Sequence, residues 1–223
     1  MDRRNESTAP SGAVLWDLDG TLVESAEHHW RAWRETLQGY GVTIERAQFR
    51  ETFGQRNDAI LSRWLGPRES AARLREIGES KEARYRELIA ADGLSALPGA
   101  ADWVVRLAGR GWRQAVASSA PRRNVDVVVR ALGLGEHFQA LVAAEDVRHG
   151  KPAPDVFLRA AELLGMPPAR CVVVEDARAG IEAAGRAGMR SIGIGPPGFA
   201  PADTVVASLV DLAQDAFDRL LTR

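Results

Sequence analysis

The apolar positions of this chain change their spacing twice. The first run, Ala13-Val14-Leu15-Trp16, is four residues long and breaks into Asp17-Leu18-Asp19-Gly20-Thr21. It is too short for a helix and is bounded by Gly12 and Gly20, so it reads as a buried strand. The chain then turns helical, with stretches at 24–38, 45–53, 57–65 and 69–91, and nothing from 24 to 97 reads as a strand. Gly39, Tyr40 and Gly41 close the first of these helices. From Leu97-Pro98-Gly99 onward, strands and helices alternate. Helices are predicted at 101–109, 122–132, 156–165, 177–187 and 209–221, and strands at 113–117, 140–143, 170–174, 191–194 and 204–206. Such alternation predicts an α/β fold, a parallel sheet covered by helices on both faces. The first strand opens this α/β unit, an all-helical insertion interrupts it, and it resumes near Pro98. The expected division is a core of 13–24 and 98–223, an insertion of 25–97, and a disordered polar leader over 1–12.

Composition narrows the function classes. With 45% hydrophobic and 26% charged residues among 223, the chain is of the soluble globular class. A net charge of -1 offers no field to gather nucleic acid or an acidic membrane. No apolar run approaches the ~20 residues that cross a bilayer. No apolar stretch follows Arg3-Arg4 as an export signal would require. Cys171 is the single cysteine, so no internal disulfide forms, and a reducing, cytoplasmic setting is expected. Its neighbours Val172-Val173-Val174 make it a buried structural thiol. Of 29 basic residues only Lys81 and Lys151 are lysines. Where arginine is the default cation, a lysine marks a place suited to a compact ammonium.

The chemistry gathers at strand ends. In the first strand Asp17 and Asp19 share one face near the carboxyl end. Two like charges that close call for a cation, and hard oxygen donors favour Mg²⁺. The bland alternative is a surface turn that ends the strand. In open parallel sheets ligands bind beyond the carboxyl ends of the strands. Four polar clusters fall at or just after such ends: Asp17/Asp19, Ser118/Ser119, Lys151 and Glu175/Asp176. Together they supply what phosphoryl transfer needs. Asp17 is a carboxylate nucleophile, and Asp19 a proton donor and acceptor. Ser118 offers a hydroxyl to a phosphate oxygen, Lys151 a point cation, and Glu175 with Asp176 complete a Mg²⁺ site facing Asp17. In the helical insertion, Trp30 and Trp33 share a face and read as core, while His29 is either a hinge or a substrate contact. The mixed charges around Lys81, Arg84, Tyr85 and Glu82 read as a solvated face.

At these residues the chain resembles the haloacid dehalogenase-like hydrolase superfamily. Asp17-Leu18-Asp19-Gly20-Thr21, the strand ending in Ser118, Gly150-Lys151-Pro152-Ala153-Pro154 and Val174-Glu175-Asp176-Ala177 look like its four signature motifs, in order. The resemblance implies a Rossmann-like core, Mg²⁺ dependence and a phosphoaspartyl intermediate on Asp17. Asp19 would protonate the leaving oxygen and then activate water. The metal ligands implied are the Asp17 side chain, the Asp19 backbone carbonyl and Asp176, with Glu175 close by. The insertion resembles the family's small helical cap, whose closure excludes water. His29-Trp30-Arg31-Ala32-Trp33 resembles the branch of β-phosphoglucomutase and the sugar-phosphate and phosphoglycolate phosphatases, and Lys81 falls where that branch often has a cap lysine.

One departure matters. In Gly54-Gln55-Arg56-Asn57, Asn57 stands where the mutase has a phosphate-gripping arginine, with Arg56 one residue earlier. A mutase must hold two phosphates, so a weakened second grip favours simple hydrolysis of a small phosphate monoester. Ser119, His29, Gln55, Arg56, Asn57 and Lys81 are the expected substrate contacts. The alternatives are a β-phosphoglucomutase-type mutase and a non-catalytic phosphometabolite-binding module. Asp19 argues against a dehalogenase, which needs no such carboxylate, and against the phosphonate-cleaving branch, which relies on a cap-lysine imine. Trp64, Trp103 and Trp112 fit core or interface equally, so monomer and homodimer both remain open.

Overall fold

The computed structural model describes residues 12–222. The disordered leader expected over 1–12 lies outside the described residues except at Gly12. That residue is buried, and its carbonyl accepts from Arg113 N at 3.1 Å, which holds it against the sheet.

Six parallel strands form the sheet: β1 (Ala13–Trp16), β2 (Arg113–Ala117), β3 (Ala140–Val142), β4 (Cys171–Glu175), β5 (Arg190–Ile194) and β6 (Thr204–Val206). Their order is β3-β2-β1-β4-β5-β6, so the first strand sits inside the sheet with β2 and β4 on either side. Trp16 pairs with Val116 on one side and Val174 on the other. This register brings Asp17 level with Ala117 and Glu175, so three polar strand ends open onto one rim.

Side-chain alternation sorts the strands between two apolar layers. Val14, Trp16, Val116, Val172, Val174 and Ile192 face helices α5 (Ala100–Gly109), α6 (Arg122–Leu132) and α9 (Ala216–Leu221). Leu15, Ala115, Ala117, Cys171 and Val173 face α7 (Asp155–Leu163) and α8 (Arg178–Arg186). Each fully buried aliphatic side chain contributes about 1.5–3 kcal/mol. Trp103 and Trp112 pack on Phe217 and are core residues. The buried polar pair is satisfied: Trp16 Nε1 donates to Gln114 Oε1 at 2.9 Å, and Gln114 Nε2 to the Val104 carbonyl at 2.8 Å.

Between β1 and α5 lie α1 (Ala26–Gly39), α2 (Arg46–Thr52), α3 (Asn57–Leu65) and α4 (Ala71–Asp92). They hold an apolar cluster of their own, with Trp30, Trp33, Leu37, Phe49, Leu61 and Ile77. Trp64 packs edge-on against Trp33 at 5.2 Å. The second half of α4 instead sends Tyr85, Leu88 and Ile89 into the sheet-side layer. The two ends of this helical block meet, because Glu24 N donates to Ser95 O at 3.1 Å and Leu97 N to Leu22 O at 3.0 Å. Val23 and Ala96 form an antiparallel bridge, a pairing that the reading of 24–97 as free of strand lacked.

The last predicted helix, 209–221, is broken. Leu209–Asp211 is a 3₁₀ turn and α9 starts only at Ala216. The Leu209 carbonyl, which a continuous helix would need for Ala213 N, accepts from Trp103 Nε1 at 2.9 Å. Among the described residues no helix is long and apolar enough to cross a membrane. Cys171 is fully buried, and desolvation pushes its thiol up to about 11. The native protein is therefore expected to resist a thiol-alkylating reagent and to take up one equivalent in denaturant, as read by intact mass.

Candidate active site

Asp17, Lys151 and Glu175 form a buried triad at the rim. Asp17 N donates to Val174 O at 3.0 Å, extending the ladder one residue past β1 and fixing the start of the Asp17 side chain. Lys151 Nζ donates to Asp17 Oδ1 and, at 2.6 Å, to Glu175 Oε1. Its stem passes the Phe157 ring, with Nζ 4.9 Å from the ring centre. Ala177 N donates to the other Glu175 oxygen at 2.7 Å. Burial pushes the Asp17 carboxyl up to about 8, with help from the Glu175 charge and against the pull of Lys151. Burial works against the Lys151 ammonium, yet Asp17 and Glu175 outweigh it and hold its pKa above the ordinary lysine value.

Asp176 completes an acidic cluster. Carboxylate oxygens of Asp17, Glu175 and Asp176 lie within 4.8 Å of one another. Desolvation, then the charges of Glu175 and Asp17, push the Asp176 carboxyl well above its usual range. Three carboxyl groups set against one ammonium repel one another as anions, and their all-oxygen donor set fits a divalent cation that would offset that repulsion. Thr21 Oγ1 donates to Asp176 Oδ1 at 3.4 Å. Gly20 makes room for the same carboxylate: its φ is +88°, and a Cβ there would lie 2.1 Å from Asp176 Oδ2.

Asp19 is held from the helical block. Ser25 Oγ donates to Asp19 Oδ1 at 2.6 Å and Tyr85 OH at 3.1 Å. Burial alone would raise this carboxyl, but the neighbouring His29, the Ser25 hydrogen bond and the Lys81 ammonium hold it far below the usual range. His29 Nε2 lies 3.1 Å from Asp19 Oδ1, without the alignment of a full hydrogen bond. Lys81 Nζ sits 2.8 Å from His29 Nδ1. An ammonium cannot accept, so Nδ1 does, and the ring proton resides on Nε2 facing Asp19. The His29 ring also stacks on Tyr85 at 3.9 Å.

The pocket over Asp17 and Asp19 has a volume of ≈ 40 Å³. Ser118 accepts from Ala120 N at 3.0 Å, which leaves its hydroxyl proton for the pocket, and the buried Ser119 Oγ has no partner among the described residues. His29, Gln55, Asn57 and Lys81 also line it. Past Asn57, Glu82, Ser119 and Pro121 it meets a groove of ≈ 1030 Å³. The substrate contact expected of Arg56 is not what the structure shows. Arg56 lines the groove rather than the pocket, and its guanidinium is on core carbonyls. The solvated face expected around Lys81 is also corrected. Lys81 and Glu82 are 2% and 5% exposed, paired at 2.8 Å, and Asn57 and Asn124 both donate to Glu82, at 2.7 and 2.5 Å. The Lys81 ammonium beside it, with the Asn57 hydrogen bond, overcomes burial and keeps Glu82 below the ordinary glutamate range.

Ser25, Tyr85, Glu82 and Asn124 were not singled out as site residues. A signal for one of them, Tyr85, exists, because Ile77, Lys81, Tyr85 and Ile89 recur every four residues along the buried stripe of α4. Ser25 and Asn124 carry no comparable signal.

Several known proteins are similar to this chain. CbbY of Rhodobacter capsulatus is 37% identical over 189 residues, covering 81% of this chain and 83% of that protein. Hexitol phosphatase A of Escherichia coli is 35% identical over 209 residues, covering 92% and 91%. The crystal structure of β-phosphoglucomutase from Clostridium difficile superposes with a TM-score of 0.85 at 26% identity, covering 96% and 98%. A family model described as haloacid dehalogenase-like hydrolase matches residues 12–188. Matched by that model across β1, the helical block and β4, the chain belongs to the haloacid dehalogenase-like hydrolase family.

Proposed function

We propose that the protein hydrolyses a small phosphate monoester, such as a sugar phosphate, through an aspartyl phosphate on Asp17. The observation that carries this reading is the triad of Asp17, Lys151 and Glu175 beside Asp176, with the Ser118 hydroxyl at the neighbouring strand end. Asp17, Glu175 and Asp176 would hold Mg²⁺, together with the Asp19 carbonyl. When bound, that ion supplies positive charge against the phosphoryl oxygens. Asp17 Oδ attacks phosphorus and the alkoxide leaves. Asp19 gives the leaving oxygen its proton, then takes one from the water that cleaves the aspartyl phosphate. Lys151 and the Ser118 hydroxyl offset the oxygen charge that builds up at phosphorus. Asp19 is tied to Ser25 and Tyr85 and its carboxyl is held low by its neighbours, so it must leave those partners and take up a proton to act as the acid. In this reading 25–97 is a cap over a core of 13–24 and 98–223, with His29, Gln55, Asn57, Lys81 and Ser119 facing the substrate.

Hydrolysis is favoured over phosphoryl exchange between sugar positions by the loop after α2. Asn57 spends its amide on Glu82, and Lys81, the pocket's ammonium, is already shared between Glu82 and His29. Neither is free to grip a second phosphate. The test is inorganic phosphate release from a panel of phosphate monoesters with Mg²⁺. It is repeated on β-glucose 1-phosphate with glucose 1,6-bisphosphate present. Phosphate release from one group of esters is expected. Glucose 6-phosphate with little free phosphate would overturn hydrolysis in favour of the mutase, and no product from any ester would leave a binding module.

A further inference from the structure

Arg56 stands at the N-cap of α3 with an extended backbone, φ −72° and ψ 149°. From there its side chain leaves the helical block and lands on the core. Nη1 donates to the Ala144 carbonyl at 3.1 Å and more weakly to the Val147 carbonyl at 3.5 Å. The stem lies against Gly150, where a Cβ would come within 2.4 Å of Arg56 Cδ and 2.9 Å of Cγ. Asp58 Oδ1, 3.4 Å from Nε, steadies the guanidinium from its own helix. One side chain thus grips three points of the segment that runs from β3 into Lys151.

We propose that Arg56 is a positioning residue, a clasp that ties the seating of the helical block over Asp17 to the placement of residues 144–151, and so of Lys151. The proposal rests on the phosphoryl-transfer reading for its catalytic consequence. The guanidinium Nη1 reaches both carbonyls only while the start of α3 lies against the core. Hydrogen bonds from a charged donor are stronger than neutral ones, so seating the block draws on this segment directly. Lys151 must stay in reach of Asp17 and Glu175 together, and small misplacements of such groups are costly in rate. Gly150 belongs to the same device, since any side chain there would push the arginine stem away.

The test is a double-substitution cycle of Arg56→Ala and Gly150→Ala, with kcat and KM measured on a hydrolysed ester. Hydrogen exchange of residues 144–151 is followed in the free protein. Arg56→Ala is expected to lower kcat about tenfold, the worth of one hydrogen bond from a charged donor, with KM little changed. Arg56→Lys, which keeps a donor and most of the stem, should recover part of it. Gly150→Ala should match the loss when Arg56 is present and add almost nothing when it is absent. Exchange in 144–151 should rise in both single variants. The clasp is overturned if the two losses multiply, if KM alone rises as it would for a direct substrate contact, or if exchange does not change. Exchange needs no turnover, so a parent protein inactive on every ester would sink the hydrolytic reading while the clasp is still decided.

Discussion

Asp17→Asn is expected to cut phosphate release by about four to six orders of magnitude, the cost of losing a covalent nucleophile. An amide has no lone pair fit to attack phosphorus, and no other carboxylate occupies that place: Glu175 is tied to Lys151 and Ala177 N, and Asp19 to Ser25 and Tyr85. The fold should survive the change. Burial pushes the Asp17 carboxyl up to about 8, so a neutral group of the same shape suits that site. Circular dichroism and substrate binding by calorimetry are expected to stay close to the parent, with Mg²⁺ binding weakened by one lost ligand. A variant keeping more than about a hundredth of the activity would show that Asp17 does not form the covalent intermediate.

Lys151→Ala is expected to destabilise the protein by about 3–5 kcal/mol, the cost of removing one partner from a buried ion cluster. It leaves Asp17 and Glu175, 5% and 1% exposed, without their shared ammonium. Mg²⁺ should return part of that loss, because a cation bound by Asp17, Glu175 and Asp176 offsets the same charges and binds only the folded chain. Urea denaturation with and without Mg²⁺ reads both effects. Lys151→Met, which keeps the stem beside Phe157, separates the lost charge from lost packing. A loss below about 1 kcal/mol that Mg²⁺ leaves unchanged would mean that these carboxyls are neutral without the lysine.

Much of this site was legible along the chain because its parts are tied to strand ends. Asp17 and Glu175 follow apolar runs that can only be buried strands, and Ser118 follows a third. A parallel sheet necessarily delivers such ends to one rim. The scarcity of lysine was informative as well, since both lysines are buried and each neutralises a carboxylate of the site. Arg56 and Glu82 were misjudged for one reason. Glu82 sits among mixed charges that look solvated and Arg56 in a polar turn that looks open to a substrate, and each finds a partner on an element 42 to 91 residues away.

The sequence by itself therefore determined the elements, the parallel sheet, the helical insertion and the motif residues, because periodicity and turn chemistry act over a few residues. The tertiary structure alone decided where a side chain finds its partner. It set Ser25 and Tyr85 on Asp19, Asn124 on Glu82 and Arg56 on the carbonyls ahead of Lys151. It also broke the last helix, where Trp103 takes the Leu209 carbonyl from 106 residues away. Each of these is a hydrogen bond made across packed elements, where desolvation forces every polar group to find a partner that no local pattern names.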